Sequence, residues 1–215
     1  EEVLEVFCEH PETAMGEMET VGDAVAFSAS WGGHAWVGWY FPTGNATWLF
    51  DTNVESWTEL ADLADDGSLD AFRCYTHAYA AGEHIWGDRS SGWIYLWDDK
   101  YYLYGTSPRL CRRSTPHIRK EQDRVRYAKF GLMLDAGRGL DGGQVPGDPP
   151  LVTLRTSMDG GYTWGYGRQR SAGKIGRYPQ QVTWYSLGQA RSMSFEVTTT
   201  DPYPVAWLGA SVETG

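Results

Sequence analysis

The chain has 215 residues, 41% of them hydrophobic, and a net charge of −10, enough apolar material to bury one large core or two small ones. Apolar residues nowhere run unbroken for the ~18 positions of a membrane helix, no charged-then-apolar leader opens the chain, and neither a signal peptide nor a membrane partner is expected; the start at Glu1 reads as trimming, processing or a fragment. Cys8, Cys74 and Cys111 are too scattered for a disulfide framework or a CxxC site and read as free thiols in or near the core, while His10, His34, His77, His84 and His117 lack metal-binding spacing, so no metal and no cofactor is expected.

Twenty-six glycines, 11 tryptophans and short alternating runs broken by Gly, Pro, Asn and Asp indicate an all-β protein. In chain order the expected strands are DAVAFSA, HAWVGWYF, ATWLFD, GWIYLWD, RLCRRST, RYAKFGLML, PLVTLRTS, QVTWYSL, SMSFEVTTT and PVAWLGA. Only WTELADLADDGSLDAF, residues 57–72, has a helical spacing, from Leu60, Leu63 and Ala64, and reads as one short helix or an acidic loop.

Two stretches repeat. His34–Trp36 is followed by Trp48–Asp51, and His84–Trp86 by Tyr95–Asp98, so the pattern recurs after 50 and 47 residues. A period of that length is the period of a four-stranded propeller blade. In such blades Trp93, Tyr95 and Trp97 would fill the space between stacked sheets, and Asp51 and Asp98 would open turns by accepting local backbone N–H bonds. The strand total of about 15 supplies roughly four blades at four strands each. The expected architecture is therefore an incomplete propeller or the C-terminal part of a longer one. Residues 1–134 read as propeller-like blades, the Gly/Pro-rich residues 135–150 as a connection, and residues 151–215 as a C-terminal β-region that closes the propeller or forms a small sandwich.

The stretch SMDGGYTW, residues 157–164, has the spacing SxDxGxTW. The Ser157 hydroxyl and the Asp159 carboxylate can bond turn amides, Gly161 can take the left-handed conformation of a tight hairpin, and Trp164 can pack back over the bend. With Thr163 they form an Asp-box pattern, as on the blades of sialidase-type propellers, where it is a folding element. Asx-type turns consume the oxygens that a catalyst needs free, so no catalytic residue is assigned and the chain is expected not to be an enzyme. The alternative is a sialidase-like propeller hydrolase or a glycan-binding propeller. Arg155, Arg168, Arg170 and Tyr166 are available to it, but no FRIP-like arginine motif accompanies them.

Other motifs fail on their surroundings. Gly137–Gly142 matches GxGxxG, but GQVPGDPP follows in place of the helix that would meet a pyrophosphate. Residues 167–175 miss the phosphate loop by one residue and place Ile175 where Ser or Thr should hold magnesium. Asn45 heads a glycosylation sequon with no other sign of secretion.

Charge divides the chain. Residues 1–108 hold 19 Asp/Glu against Arg73, Arg89 and Lys100, a net of −16, whereas residues 109–215 hold 15 Lys/Arg against 9 acids, a net of +6. Such asymmetry suits polyanion binding, pairing between halves or subunits, or a plain solvated surface. Without a reading helix or an RNA-binding motif, the basic set Arg168, Arg170, Lys174 and Arg177 is read as a subunit contact ahead of a polynucleotide contact.

From Ser157 onward the sequence resembles the C-terminal region of the packaged-DNA stabilisation proteins of short-tailed bacteriophages, which form the tail hub or nozzle. The likeness lies in Ser157–Trp164, Gly173–Tyr178, Trp184–Arg191 and Thr200–Pro202, in that order. Residues 22–57 and 80–102 are similar to that family's blade repeats, and family members extend further on the N-terminal side. The resemblance implies a virion structural protein, present in the host cytoplasm during assembly, built as a propeller-containing subunit of a hexameric ring. It further implies contacts with portal and adaptor proteins, with tailspikes or fibres and with a needle or plug, and transient contact with double-stranded DNA in the channel. Such a ring retains packaged DNA and later forms part of the ejection conduit.

Overall fold

A computed structural model describes residues 11–64, 66–98, 100–104, 107–119, 123–135, 150–173, 180–204 and 206–215. The chain divides into two compact units, with the boundary between Asp99 and Lys100.

The N-terminal unit begins with one helical segment, α1 (Pro11–Glu17), followed by an antiparallel meander of β1 (Val25–Trp31), β2 (His34–Phe41), β3 (Ala46–Asp51) and β4 (Ser56–Glu59) in that spatial order. The β1–β2 hairpin closes on Gly32 and Gly33, both at positive φ, as a two-residue turn between right-twisted strands requires. Phe27 pairs across the hairpin with Gly38, and a Cβ on Gly38 would lie 2.1 Å from the Phe27 ring, so the missing side chain is what lets the ring lie flat on the strand. A short hairpin follows, β5 (Ala61–Leu63) and β6 (Leu69–Ala71), then a second meander of β7 (Cys74–Ala80), β8 (Glu83–Asp88) and β9 (Ile94–Leu96).

The helical spacing of residues 57–72 is thus overridden: they form β4, β5 and β6. Asp66 accepts bonds from the Ser68 N–H and hydroxyl, and Gly67 sits at φ +85°, a turn that no helix passes through. The His-x-Trp repeat also changes meaning in three dimensions. Trp36 pairs with Asp51, but Trp86 pairs with Tyr95, three residues short of Asp98. The acid that opens the β8–β9 turn is Asp88, which accepts the Ser90 and Ser91 N–H groups at 2.6 and 3.0 Å. Trp97 does pack against Trp36 and Trp86, whereas Trp93 is 68% exposed and fills no intersheet space.

The C-terminal unit contains a short pair, β10 (Leu103–Tyr104) with β11 (Ser107–Pro108), and two larger sheets made from β12 (Cys111–Ser114), β13 (Val125–Asp135), β14 (Leu151–Ser157), β15 (Arg168–Ser171), β16 (Gln180–Ala190), β17 (Ser194–Thr199) and β18 (Ala206–Thr214). One sheet has the order β12-β17-β14-β15 and the other β16-β13-β18. Their facing residues, among them Phe130, Leu132, Leu134, Val152, Leu154, Val182, Trp184, Phe195 and Val197, form the core at 4% exposure or less. Against β18, the register shift between Tyr127 and Lys129 leaves one extra residue in β13, which is why Tyr127 and Phe130 both point inward despite odd spacing.

Residues 135–150 do not separate two domains in the manner expected. Strand β13, N-terminal to them, lies between β16 and β18, so the unit boundary moves back to residue 99. Among the described residues the sheets are open, of two to four strands, with no closed ring of blades. Cys74 is buried, and burial followed by the nearby Asp88 and Asp62 carboxylates pushes its thiol up to about 12; Cys111, expected near the core, is exposed. Cys8, His10 and the Gly137–Gly142 stretch lie outside the described residues.

Candidate functional site

Strand β14 ends at Ser157, and the chain turns through residues 158–167 before returning as β15. The Ser157 side chain is fully buried. Its Oγ donates to Asp159 Oδ1 at 2.7 Å and accepts the Gly161 N–H at 2.8 Å. Asp159 in turn accepts the Thr163 N–H at 2.9 Å on Oδ1 and the Thr163 hydroxyl on Oδ2. Gly160 and Gly161 both have φ near +90°, and the Trp164 ring lies 3.7 Å from where a Gly161 Cβ would sit. The Gly165 N–H closes the loop onto the Thr156 carbonyl at 2.9 Å.

The Thr163 hydroxyl, then the Thr163 N–H, then the Ser157 hydroxyl hold the Asp159 carboxyl down at about 2. A general acid of glycoside hydrolysis needs the opposite shift, upward towards neutral pH. Asp159 is an ionised turn anchor, and both of its oxygens have partners inside the loop.

Behind the loop, Arg155 and Glu196 are cross-strand partners on β14 and β17. Both Arg155 Nε, at 2.7 Å, and Arg155 Nη2 donate to Glu196 Oε1. The guanidinium carbon also lies 5.7 Å from the centre of the Trp164 ring, so the indole roofs a salt bridge whose glutamate is buried. Sequence reasoning missed this pair. Its only trace is one charge of each sign in two otherwise strand-like runs, LVTLRTS and SMSFEVTTT.

Arg168 and Arg170 are exposed on β15. Arg168 Nη1 donates to the carbonyls of Tyr185 and Ser186 at 3.2 and 3.1 Å, and its own carbonyl accepts the Trp184 indole N–H at 2.8 Å. Among the described residues, Arg170 reaches the neighbouring Gln169 carbonyl, at 3.5 Å. Lys174 and Arg177 lie outside the described residues. Of the side chains a sialidase-type site would recruit, Arg155 is neutralised by Glu196 and Tyr166 is 99% exposed.

The N-terminal unit holds a cleft lined by Ser28, Ser30, Trp36, Thr52, His77 and His84, among others. His77 Nδ1 lies 2.7 Å from the Ser28 carbonyl, and His77 Nε2 lies 2.9 Å from His84 Nδ1. A carbonyl only accepts, so His77 carries its proton on Nδ1 and receives the His84 Nδ1–H on Nε2. Burial first, and His84 as a like charge, hold His77 below the usual histidine value, against the Ser28 carbonyl, which favours the cation. Protonation at Nε2 forces the His84 tautomer to change if the link is kept. Between the depressed native value and the ordinary ~6.5 the unfolded chain binds more protons. The stability of this unit is therefore whole above that pH and falls as the pH drops below it. The thermal midpoint should be lower at pH 5.5 than at pH 7.5, with a smaller gap in His77→Gln; equal gaps in the two proteins would refute the assignment. Among the described residues no group of three His, Cys, Asp or Glu side chains is placed to hold a metal ion.

Residues 111–215 match the family model described as Bacteriophage P22 Gp10, beta-sandwich. The match begins at the first residue of β12 and takes in both large sheets. No curated protein matches the chain.

Proposed function

We propose that this chain is a structural subunit of a short-tailed phage tail hub or nozzle and acts by assembly rather than catalysis. The observation that carries the reading is the coincidence of the β12–β18 sandwich with the residues matched by the P22 Gp10 β-sandwich family. The internal use of the Asp159 oxygens supports it, since the one loop with a catalytic look has no free acid or base to offer.

In this reading the chain sits in the virion as one copy of a ring, six-membered by resemblance, between portal or adaptor proteins above and tailspikes, fibres and a needle or plug around and below. The two N-terminal meanders serve as propeller-type blades. A conduit for DNA has to grip weakly, because many phosphate contacts stall a moving duplex. The acidic first half, with its net of −16 over residues 1–108, repels the phosphate backbone and lets it slide, and the basic second half meets neighbouring copies. Reversing charge on the β15 face tests this division of labour. The double variant Arg168→Glu/Arg170→Glu should weaken self-assembly at least tenfold while leaving duplex DNA binding unchanged. Intact assembly with collapsed DNA binding would overturn the reading.

A further inference from the structure

We propose that the tyrosine and arginine face beside the Asp-box hairpin docks the acidic N-terminal unit of a second copy of this chain. This rests on the subunit reading above and names the partner of its basic strand.

Tyr162 and Tyr166 are 92% and 99% exposed, and Met158 and Tyr185 are more than half exposed. Met158, Tyr162 and Tyr166 lie on the chain between β14 and β15, and Tyr185 lies on β16. A Cβ on Gly188 would lie 3.3 Å from Met158 Cε, so the methionine covers β16 three residues beyond Tyr185. Arg168 is fastened to the same strand through the carbonyls of Tyr185 and Ser186, and Trp184 holds its backbone. Tyr166, Arg168 and Arg170 follow one another at every second position, the spacing that puts side chains on one side of an extended chain. The loop bearing Tyr162 is pinned by the Ser157 and Asp159 bonds, so its tyrosines are presented by a fixed backbone.

Tyrosine, methionine and arginine are the residues enriched in the buried centres of protein interfaces, and rigid aromatics lose little conformational entropy there. Such side chains clustered in water on a fixed scaffold describe a contact surface in wait of a partner. Charge identifies that partner. The net sign of the C-terminal half is positive, and Arg155 is already neutralised by Glu196, which leaves Arg168 and Arg170 exposed on the edge strand β15. Residues 11–99 carry 15 Asp/Glu against only Arg73 and Arg89. The acidic surface that complements this face is therefore present in every other copy of the chain. DNA is the poorer occupant: duplex binding draws on many phosphate contacts, and this face offers two arginines among three tyrosines.

The full chain, prepared with a benzoyl-phenylalanine photo-crosslinker in place of Tyr166, gives the test. Unlabelled and 15N-labelled chains are mixed, irradiated and mapped by mass spectrometry. Isotopically mixed links from position 166 to peptides of residues 11–98 are expected. In parallel, the variant Tyr162→Ser/Tyr166→Ser should weaken self-association roughly tenfold or more with an unchanged unfolding midpoint. Mixed links confined to residues 100–215, links within single chains only, or undiminished self-association would overturn the proposal. So would loss of duplex DNA binding in that variant with assembly intact. If the unmodified chain never associates, the subunit reading falls as well; if it associates but the links miss the acidic unit, only this inference falls.

Discussion

Arg155→Ala should lower the stability of the C-terminal sandwich by about 3 kcal/mol, the lower end of the range for breaking a buried ion pair. The lower end applies because the guanidinium side chain is 40% exposed while the Glu196 carboxylate is only 3% exposed. Removal of the arginine strands a charge on the outer face of β14 and β17, beneath Trp164, where water reaches it poorly. The protein must then protonate the acid or open the roof. In the double variant Arg155→Leu/Glu196→Leu no charge is left to strand, and most of the loss should return. Hydrogen exchange at the Phe195 and Val197 amides isolates this unit from the N-terminal one, which matters because a chain of two units need not unfold in one step. A single variant that costs under ~1 kcal/mol, typical of a surface pair, would show that the indole roof does not exclude water.

Trp184→Ala carries the other large effect, about 3–5 kcal/mol for truncation of a buried tryptophan. The ring is 1% exposed and packs 6.0 Å from Phe130, which stacks in turn on Phe195 of the opposite sheet at 4.9 Å. The cavity would therefore open between the two sheets. Trp184 also has a second role, since its indole N–H holds the carbonyl of Arg168 on β15. Trp184→Phe separates the two contributions: it keeps an aromatic filler and removes the bond, at a cost of about 1–2 kcal/mol. In Trp184→Phe, amide exchange at residues 168–170 should quicken more than at β13. Equal change at both strands would mean that the indole bond does not fix the basic strand.

Several features were legible in the sequence for physical reasons that act locally. Alternation in PLVTLRTS reflects one buried and one more open sheet face, whereas SMSFEVTTT is buried on both faces, and both stretches are strands. The SxDxGxTW spacing encodes bonds between residues two to four apart, so the loop could be reasoned out before its geometry was known. What was not legible depends on pairing across the chain. Leu60, Leu63 and Ala64 have helical spacing, yet the Asp66–Ser68 turn folds β5 onto β6. The His-x-Trp repeat looked like two equivalent blades because sequence period carries no register: Trp36 pairs with Asp51, but Trp86 pairs with Tyr95, and Asp88 opens the β8–β9 turn. The boundary at residues 135–150 was inferred from glycine and proline content, which marks a loop without telling whether the strands on either side share a sheet. They share a sandwich, because β13 pairs with β16 and β18. The exposure of Tyr162 and Tyr166 was hidden too, since aromatic residues in a β-rich chain read first as core.

The most direct test of the central claim, that this polypeptide acts by assembling with copies of itself, is the native mass of the full chain over a range of concentrations. A defined multiple of the 24.1 kDa protomer is expected, sixfold if the ring is complete. A species of single-protomer mass at every concentration, with turnover of a glycoside substrate, would contradict it.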